Sequence, residues 1–303
     1  MTRVLVAGSA NTDMVVRVPR IPRPGETVLG GAFAMAAGGK GANQAVAAAR
    51  AGARVTFVAR VGDDLFGRQA LEGFAGDGIE TRFVRATPGA ATGIALITVD
   101  ERGENSISVA SGANALLAAG DIEAAAEAFG AADIVLLQLE SPLGTVEAAA
   151  RAAKERGVPV VLNPAPAREL GDALLSLVSV LTPNEHEAEL LTGVAVRDEA
   201  GAREAARRLR ARGPATVVVT LGERGVYASS EAFEGGVPAF RVDPVDTTAA
   251  GDVFNGALAV ALAEKRPLPD ALRFAQAAAA VSVTRPGAQP SAPTRAEIEA
   301  LLR

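Results

Sequence analysis

Ile134-Val-Leu-Leu-Gln-Leu139 is followed by an alanine-rich run from Gly144 to Arg156, a stop at Gly157, and then Pro159-Val-Val-Leu162. An apolar run too short for a helix, a helix closed by glycine and a second short apolar run read as strand, helix, strand. The same rhythm continues outward in both directions. Val4 to Ala7, Val55 to Ala59, Val178 to Leu181 and Val217 to Thr220 are further strand-like runs. Helical patterns cover Ala42 to Arg50, stopped by Gly52, Leu65 to Phe74, and Arg203 to Arg212, stopped by Gly213. This alternation predicts an α/β chain in three layers, with a central, mostly parallel sheet covered by helices on both faces. Two segments break the rhythm. Residues 12–36 and 92–110 carry strand-like alternation, as in Gly93-Ile-Ala-Leu-Ile-Thr-Val99, a turn at Asp100-Glu-Arg-Gly103, and Ser106-Ile-Ser-Val109. They read as antiparallel strands added to the body as a lid, within a single domain spanning 1–303.

Composition narrows the chemistry. With 303 residues and 49% hydrophobic content the chain can bury a large core. The N-terminal Met1-Thr-Arg-Val-Leu-Val enters a strand without a signal-peptide pattern, and no run of about 18 apolar residues occurs, so a cytoplasmic protein away from the membrane is expected. Zero Cys rules out disulfides and thiolate chemistry, and a single His rules out a multi-His zinc site. Any metal must bind oxygen. A net charge of −5 with 4% aromatics and no basic cluster argues against nucleic acid as a partner.

Seven stretches of the chain are candidates for chemistry. Asp246-Thr-Thr-Ala-Ala-Gly-Asp252 runs into the apolar helical stretch Val253 to Leu262. Ala249, Ala250 and Gly251 leave their N–H groups open to an anion at a helix N-terminus. Asp252 beside a phosphate site repels the ligand, which suits a group that takes a proton from an attacking hydroxyl; it also suits an ordinary first-turn helix carboxylate. Gly38-Gly-Lys-Gly-Ala-Asn-Gln44 places Lys40 and Asn43 in a glycine-rich turn fit for a polyhydroxyl compound, or for a purely structural turn. It is neither a P-loop, since Gly41 follows Lys40, nor a dinucleotide fingerprint, since Gln44 stands where glycine is needed. Asn11-Thr-Asp13 follows the first strand, where open α/β sheets place ligand loops, and Asp13 can accept two hydrogen bonds from a vicinal diol. Glu140 ends an apolar strand, where an unpartnered carboxylate is costly. Asn184 and Glu187 form either a capping box or, beside phosphate, a seat for hydrated Mg2+. Thr220-Leu-Gly-Glu-Arg-Gly225 makes a nucleotide-cradling edge, and Thr284 to Ser291 a rigid loop presenting carbonyls; either is also plain punctuation. His186 reads as a surface residue.

Gly39-Lys-Gly-Ala-Asn43, Gln138-Leu-Glu-Ser141, Asn163-Pro-Ala-Pro-Ala167, Thr182-Pro-Asn184 and the Asp246 to Asp252 loop, in this order, resemble the ribokinase (PfkB) family of sugar kinases nearly end to end. The resemblance implies a ribokinase-like fold and ATP-dependent phosphorylation of the O5 hydroxyl of D-ribose, giving ribose 5-phosphate and ADP. It implies Asp252 as the base, with the backbone from Ala249 to Gly251 stabilising the transferring phosphoryl. Asn11, Asp13, Gly39, Lys40, Asn43 and Glu140 would hold the sugar. Asn184 and Glu187 would organise Mg2+ and phosphate, and Thr220, Gly222, Gly225 and Gln276 would contact the nucleotide. A K+ site would draw on Asp246, Thr248, Ser282, Arg285, Gly287 and Ser291, several through main-chain carbonyls. The lid would pair two copies into a homodimer. Ala249 departs from the glycine usual in the wider family, and Gln276 is a variable place. A sister kinase acting on 2-deoxyribose or another pentose is the nearest alternative, with Asp13 as discriminator. A non-catalytic sugar sensor would be free to lose Asp252, and a nicotinamide-dependent oxidoreductase would need the Gly-x-Gly-x-x-Gly this chain lacks.

Overall fold

The computed structural model describes residues 1–303. Thirteen strands are formed: β1 (Arg3–Ala7), β2 (Asn11–Arg17), β3 (Phe33–Gly38), β4 (Arg54–Gly62), β5 (Glu80–Thr87), β6 (Gly93–Val99), β7 (Asn105–Ala110), β8 (Ile134–Leu137), β9 (Val160–Leu162), β10 (Val180–Leu181), β11 (Thr216–Thr220), β12 (Val226–Ser229) and β13 (Glu234–Val237). Nine make one sheet in the order β13-β12-β11-β10-β9-β8-β1-β4-β5, parallel from β5 to β11 and antiparallel at β12 and β13. The eleven α-helices are α1 (Lys40–Arg50), α2 (Leu65–Gly76), α3 (Ala119–Ala124), α4 (Ala126–Ala131), α5 (Leu143–Lys154), α6 (Asp172–Leu175), α7 (Glu185–Thr192), α8 (Glu199–Arg210), α9 (Ala250–Ala263), α10 (Leu268–Ser282) and α11 (Arg295–Leu302).

The strands alternate between two cores. Val4 and Val6 of β1, with Ile134 and Leu136 of β8, join a cluster packed on α1, α9 and α10. Leu5, Ala7, Val135 and Leu137 face the opposite cluster under α5, α7 and α8. A sheet buried on both faces explains why these strands are apolar throughout. The sheet grows from β1 toward β5 on one side and from β8 toward β11 on the other, so the order in which strands are added reverses between β1 and β8 while the strands stay parallel. Ligands of open α/β sheets bind at the carboxyl ends of the strands at such a switch point.

One helix contact sets the site's geometry. Gly256 of α9 rides so close to α1 that a Cβ there would stand 2.7 Å from both the Ala47 Cβ and the Gln44 carbonyl. Only hydrogen allows this approach, and it brings the first turn of α9 against Asn43 and Gln44.

The second sheet differs from the sequence expectation in one respect. Its order is β3-β2-β6-β7, and β2 pairs with β6 in parallel over Asn11 to Arg17, while β2–β3 and β6–β7 are antiparallel. β2 follows β1 and β6 follows β5, two parallel strands of the main sheet, so both excursions leave the same sheet edge and run the same way. The sheet is therefore mixed rather than antiparallel. Asn11 to Asp13 also lie on strand β2 rather than on a loop. Val178 and Ser179, expected in a strand, precede a two-residue β10. No helix is long and apolar enough to cross a membrane.

Candidate active site

The residues expected to hold a sugar converge at the switch point. Asp252 opens α9, 5% exposed, with Asn43 Nδ2 donating to its Oδ2 at 3.0 Å and Gln44 Nε2 donating to its Oδ1 at 2.9 Å. Lys40, at the first turn of α1, lies among Asp252, Glu140, Glu187 and Asp13. Burial works against its charge, but the four carboxylates outweigh burial and hold the ammonium above its ordinary pKa. Burial raises the Asp252 carboxyl, with Glu140 adding to it; Lys40, Asn43 and Gln44 pull it back. Asp13 is raised to about 6, first by burial and then by Glu140 and Asp252.

Two of these groups are held by residues the sequence reading passed over. Glu140 Oε2 accepts the Ser9 hydroxyl at 2.5 Å and the Lys40 N–H at 2.9 Å, leaving Oε1 free. Asn11 Oδ1 accepts Asn114 Nδ2 at 2.7 Å, which turns the Asn11 amino group outward. Gly39 is the N-cap of α1 beside them.

The residues expected to contact a nucleotide, Thr220, Gly222, Gly225 and Gln276, line a cavity of about 930 Å3 together with Ala250, Gly251 and others. Gln276 Nε2 donates to the Val237 carbonyl at 2.7 Å, and its Oε1 is buried without a partner. Between this cavity and the side-chain cluster around Lys40 lies the N-terminus of α9. Ala249, at φ 59°, is its N-cap. Ala250 N–H is taken by the Thr247 carbonyl at 3.2 Å, so the open donors of the loop are Ala249, Gly251 and Asp252 rather than the run from Ala249 to Gly251.

Asn184 and Glu187 make the capping box: Glu187 N–H donates to Asn184 Oδ1 at 2.8 Å and Asn184 N–H to Glu187 Oε2 at 2.9 Å. Glu187 is nevertheless buried and faces Lys40, and burial raises its carboxyl. One of its oxygens remains for a ligand. His186 is exposed on α7.

Behind the anion loop, Asp246 accepts the Thr248 N–H at 2.9 Å and the Gly287 N–H at 2.8 Å. The carbonyls of Thr248, Arg285 and Gly287 accept no hydrogen bond within the protein. Ser282 and Ser291 donate their hydroxyls to Ala279 and Ala288 carbonyls, each at 2.8 Å. The Arg285 side chain turns away to Glu297.

A carboxylate with a cationic neighbour on one side of a helix N-terminus and a large cavity on the other is a layout for group transfer between two ligands. The family model of the pfkB family carbohydrate kinases matches residues 1–295. The chain belongs to the pfkB family of carbohydrate kinases. Within it, the ribokinase of Haemophilus influenzae is 49% identical, over 96% of this chain and 95% of that protein. The deoxyribokinase of Salmonella typhi is 40% identical, over 96% and 95%. The solved structure of Arabidopsis thaliana ribokinase complexed with ribose and ATP superimposes with a TM-score of 0.93 at 35% identity, covering 100% of this chain and 99% of that one. The second sheet of this pfkB kinase brings Asn11 and Asp13 to the site on one strand.

Gln44, Ser9, Asn114 and Gln138 are the polar residues of the site that sequence reasoning left unassigned. A signal existed: Gln44 interrupts an alanine-rich helix and Gln138 an apolar strand, and polar side chains in such runs need partners.

Proposed function

We infer that the protein transfers the γ-phosphoryl of ATP to the O5 hydroxyl of D-ribose, yielding ribose 5-phosphate and ADP. The observation that carries this is the Asp252 carboxylate, fixed at the N-terminus of α9 where the sugar-side cluster and the nucleotide cavity meet. Asn11, Asp13, Gly39, Lys40, Asn43 and Glu140 hold the sugar, Asp13 and the free Glu140 oxygen accepting from its hydroxyls. As the O5–phosphorus bond forms and the bond from phosphorus to the β-phosphate oxygen breaks, the O5 proton passes to Asp252. Charge on the transferring phosphoryl meets the open N–H groups at Ala249, Gly251 and Asp252, aided by the helix dipole. Thr220, Gly222, Gly225 and Gln276 form the nucleotide wall.

The donor sets fit two cations. Asn184 and Glu187 offer a single free carboxylate oxygen beside the phosphates, as suits Mg2+, an ion that keeps its waters and supplies charge neutralisation. Asp246 with the unpartnered carbonyls of Thr248, Arg285 and Gly287 suits a larger ion such as K+, which would stiffen the adjacent anion loop. Ser282 and Ser291 keep lone pairs for the same ion.

The second sheet acts as a lid and as a dimer surface. Strand register puts Met14, Met35 and Leu96 on the face opposite Asp13. Phe33, Met35 and Leu96 on that face are 62%, 54% and 55% exposed, an apolar patch that a second copy would cover. Sedimentation at micromolar concentration tests this; a monomer ends that part of the reading. The cytoplasm, where ATP is abundant, is the compartment the reaction calls for.

A second reading, phosphorylation of 2-deoxyribose, is favoured by the likeness to a deoxyribokinase. Asp13 decides between them: a sugar without the 2-hydroxyl leaves one buried acceptor unpaired, at about 1 to 3 kcal/mol. The test is ADP release with Mg2+ and ATP, D-ribose against 2-deoxyribose, each in K+ and in Na+. Fast, K+-dependent turnover on D-ribose is expected. Preference for deoxyribose moves the assignment to the second reading, and no turnover on either overturns both.

A further inference from the structure

A chain of buried amides runs beneath the candidate base. Gln138, the residue after β8, donates Nε2 to Gln44 Oε1 at 2.6 Å. Gln44 Nε2 donates to Asp252 Oδ1 at 2.9 Å and to Asn163 Oδ1, just after β9, at 3.2 Å. Asn163 Nδ2 donates to the Thr182 carbonyl, after β10, at 3.1 Å. The Thr182 hydroxyl donates to Asn255 Oδ1 at 2.6 Å, and Asn255 Nδ2 returns to the Gly251 carbonyl at 2.8 Å. The belt thus starts at the carboxyl ends of three neighbouring parallel strands and closes on both Gly251 and Asp252.

Gln44 is fully buried, so it has no route to a ligand. Its amide orientation is set by Asn163, whose own amino group is committed to the Thr182 carbonyl, so that Asn163 Oδ1 requires the Gln44 amino group; the Gln44 oxygen then takes the Gln138 amide, whose Oε1 has no partner. The Gln44 amino group then meets Asp252. An N–H can donate to a carboxylate but cannot accept from a carboxylic acid, so the contact favours the ionised base and holds one oxygen of its plane.

We propose that Gln44, held by Asn163 and Gln138, is a positioning residue for Asp252, keeping the base ionised and its carboxylate plane turned for the sugar hydroxyl. The groups that face Asp252 are Lys40 and Asn43 from α1, Glu140 after β8, Asp13 on β2 and Glu187 on α7. Lys40 and the two amides favour the anion. The three other carboxylates oppose it, so losing one amide tilts the balance toward the acid. Gln138 works one bond further away. Its loss leaves both contacts to Asp252 and the Asn163 bond in place and removes one of the two partners that hold the Gln44 amide.

This inference rests on the reading of Asp252 as the base, and the experiment separates the two. The kcat for D-ribose is followed from pH 5 to 9 in wild type, Asp252→Asn, Gln44→Met and Gln138→Leu, with folding checked by circular dichroism and KM recorded throughout. In Gln44→Met, kcat at neutral pH is expected to fall roughly ten-fold or more, the acid limb to move upward by about one pH unit, and the ribose KM to change less than about threefold. Gln138→Leu is expected to move the limb the same way by less. An acid limb that stays in place in Gln44→Met overturns the proposal, even if kcat falls, because a merely structural residue would lower kcat without moving it. Should Gln44→Met fail to fold, the combined Gln138→Leu and Asn163→Leu variant, which removes both partners of the Gln44 amide, decides: a displaced limb supports the proposal, an unmoved one overturns it. Wild type without ribose-dependent ADP release, or Asp252→Asn with normal turnover, overturns the parent reading and this inference with it.

Discussion

The two halves of the site are made of different material. On the sugar side the ligand would meet ionised and amide side chains that are themselves held by other side chains: Asp252 by Asn43 and Gln44, Glu140 by Ser9, Asn11 by Asn114. On the nucleotide side it would meet glycine backbone and apolar surface, with Gly222, Gly225, Ala250 and Gly251 in the wall beside Phe240 and Phe254, and Arg224 and Arg241 as its cations. A sugar is told apart by the placement of hydroxyls, each needing a matched partner, whereas a triphosphate is met by N–H groups and a purine by flat space. The difference predicts different vulnerabilities: atoms lost on the sugar side, and atoms added on the nucleotide side.

Asp252→Asn is the sharpest break on the sugar side. Both ligands should still bind, because Asn43, whose Oδ1 is buried without a partner, can turn over to accept the new amino group and the repulsion toward phosphate is reduced, while kcat falls roughly 10^2- to 10^4-fold. Single-turnover kinetics with separate binding titrations check this. A variant that loses ATP binding along with turnover would mean that the residue organises the loop rather than the proton.

Gly225→Ala is its counterpart on the nucleotide side. Gly225 sits at φ 96°, and a Cβ there would stand 2.2 Å from the Val237 carbonyl oxygen, so backbone must move. The turn between β11 and β12 then shifts into the cavity. An ATP KM raised by about tenfold with ribose KM little changed is expected, along with a stability loss of about 1 to 3 kcal/mol. A ribose KM that rises instead would break the division between the halves.

Asp13 sharpens the comparison through pH. Its carboxyl is raised to about 6 from an ordinary 3.8, because burial and the neighbouring Glu140 and Asp252 penalise the anion. The raised value means that the group favours the folded state below about pH 4, and that this contribution is lost as pH rises through 6. At neutral pH the ionised Asp13 therefore costs stability, on the order of 1 to 3 kcal/mol. Asp13→Asn should be more stable than wild type at pH 7.5 in urea denaturation and indistinguishable near pH 4, while the ribose KM rises. Equal stability at both pH values would remove the idea that the sugar site carries stored repulsion which the ligand relieves.

What was legible in the chain follows the same division. Alternation of apolar runs with glycine-stopped helices read out the parallel sheet, because a strand buried on both faces has no choice of composition. Asp252, Lys40, Asn43 and Glu140 were legible because charge and amide groups beside glycine or at the end of an apolar strand are costly without a purpose. The parallel pairing of β2 with β6 was not, since it joins segments about eighty residues apart and depends on which sheet edge each one leaves. Gln44 shows in the sequence only as a polar residue in an alanine-rich helix that needs a partner; which partner is not legible, because its contact with Asp252 exists only where α9 crosses α1 at Gly256, and no local pattern records that crossing.

The smallest effect tests the boundary between the halves. Ala249 caps α9 at φ 59°, a left-handed conformation that costs an alanine about 1 kcal/mol and a glycine nearly nothing. Ala249→Gly should therefore release this strain, raising stability by about 0.5 to 1 kcal/mol in thermal or urea unfolding, if the folded loop keeps its shape. Glycine also widens the unfolded ensemble, which takes back part of the gain. A net loss beyond about 1 kcal/mol would mean that the Ala249 methyl packs against something the loop needs. The anion loop would then depend on a side chain, like the sugar side, rather than on backbone alone.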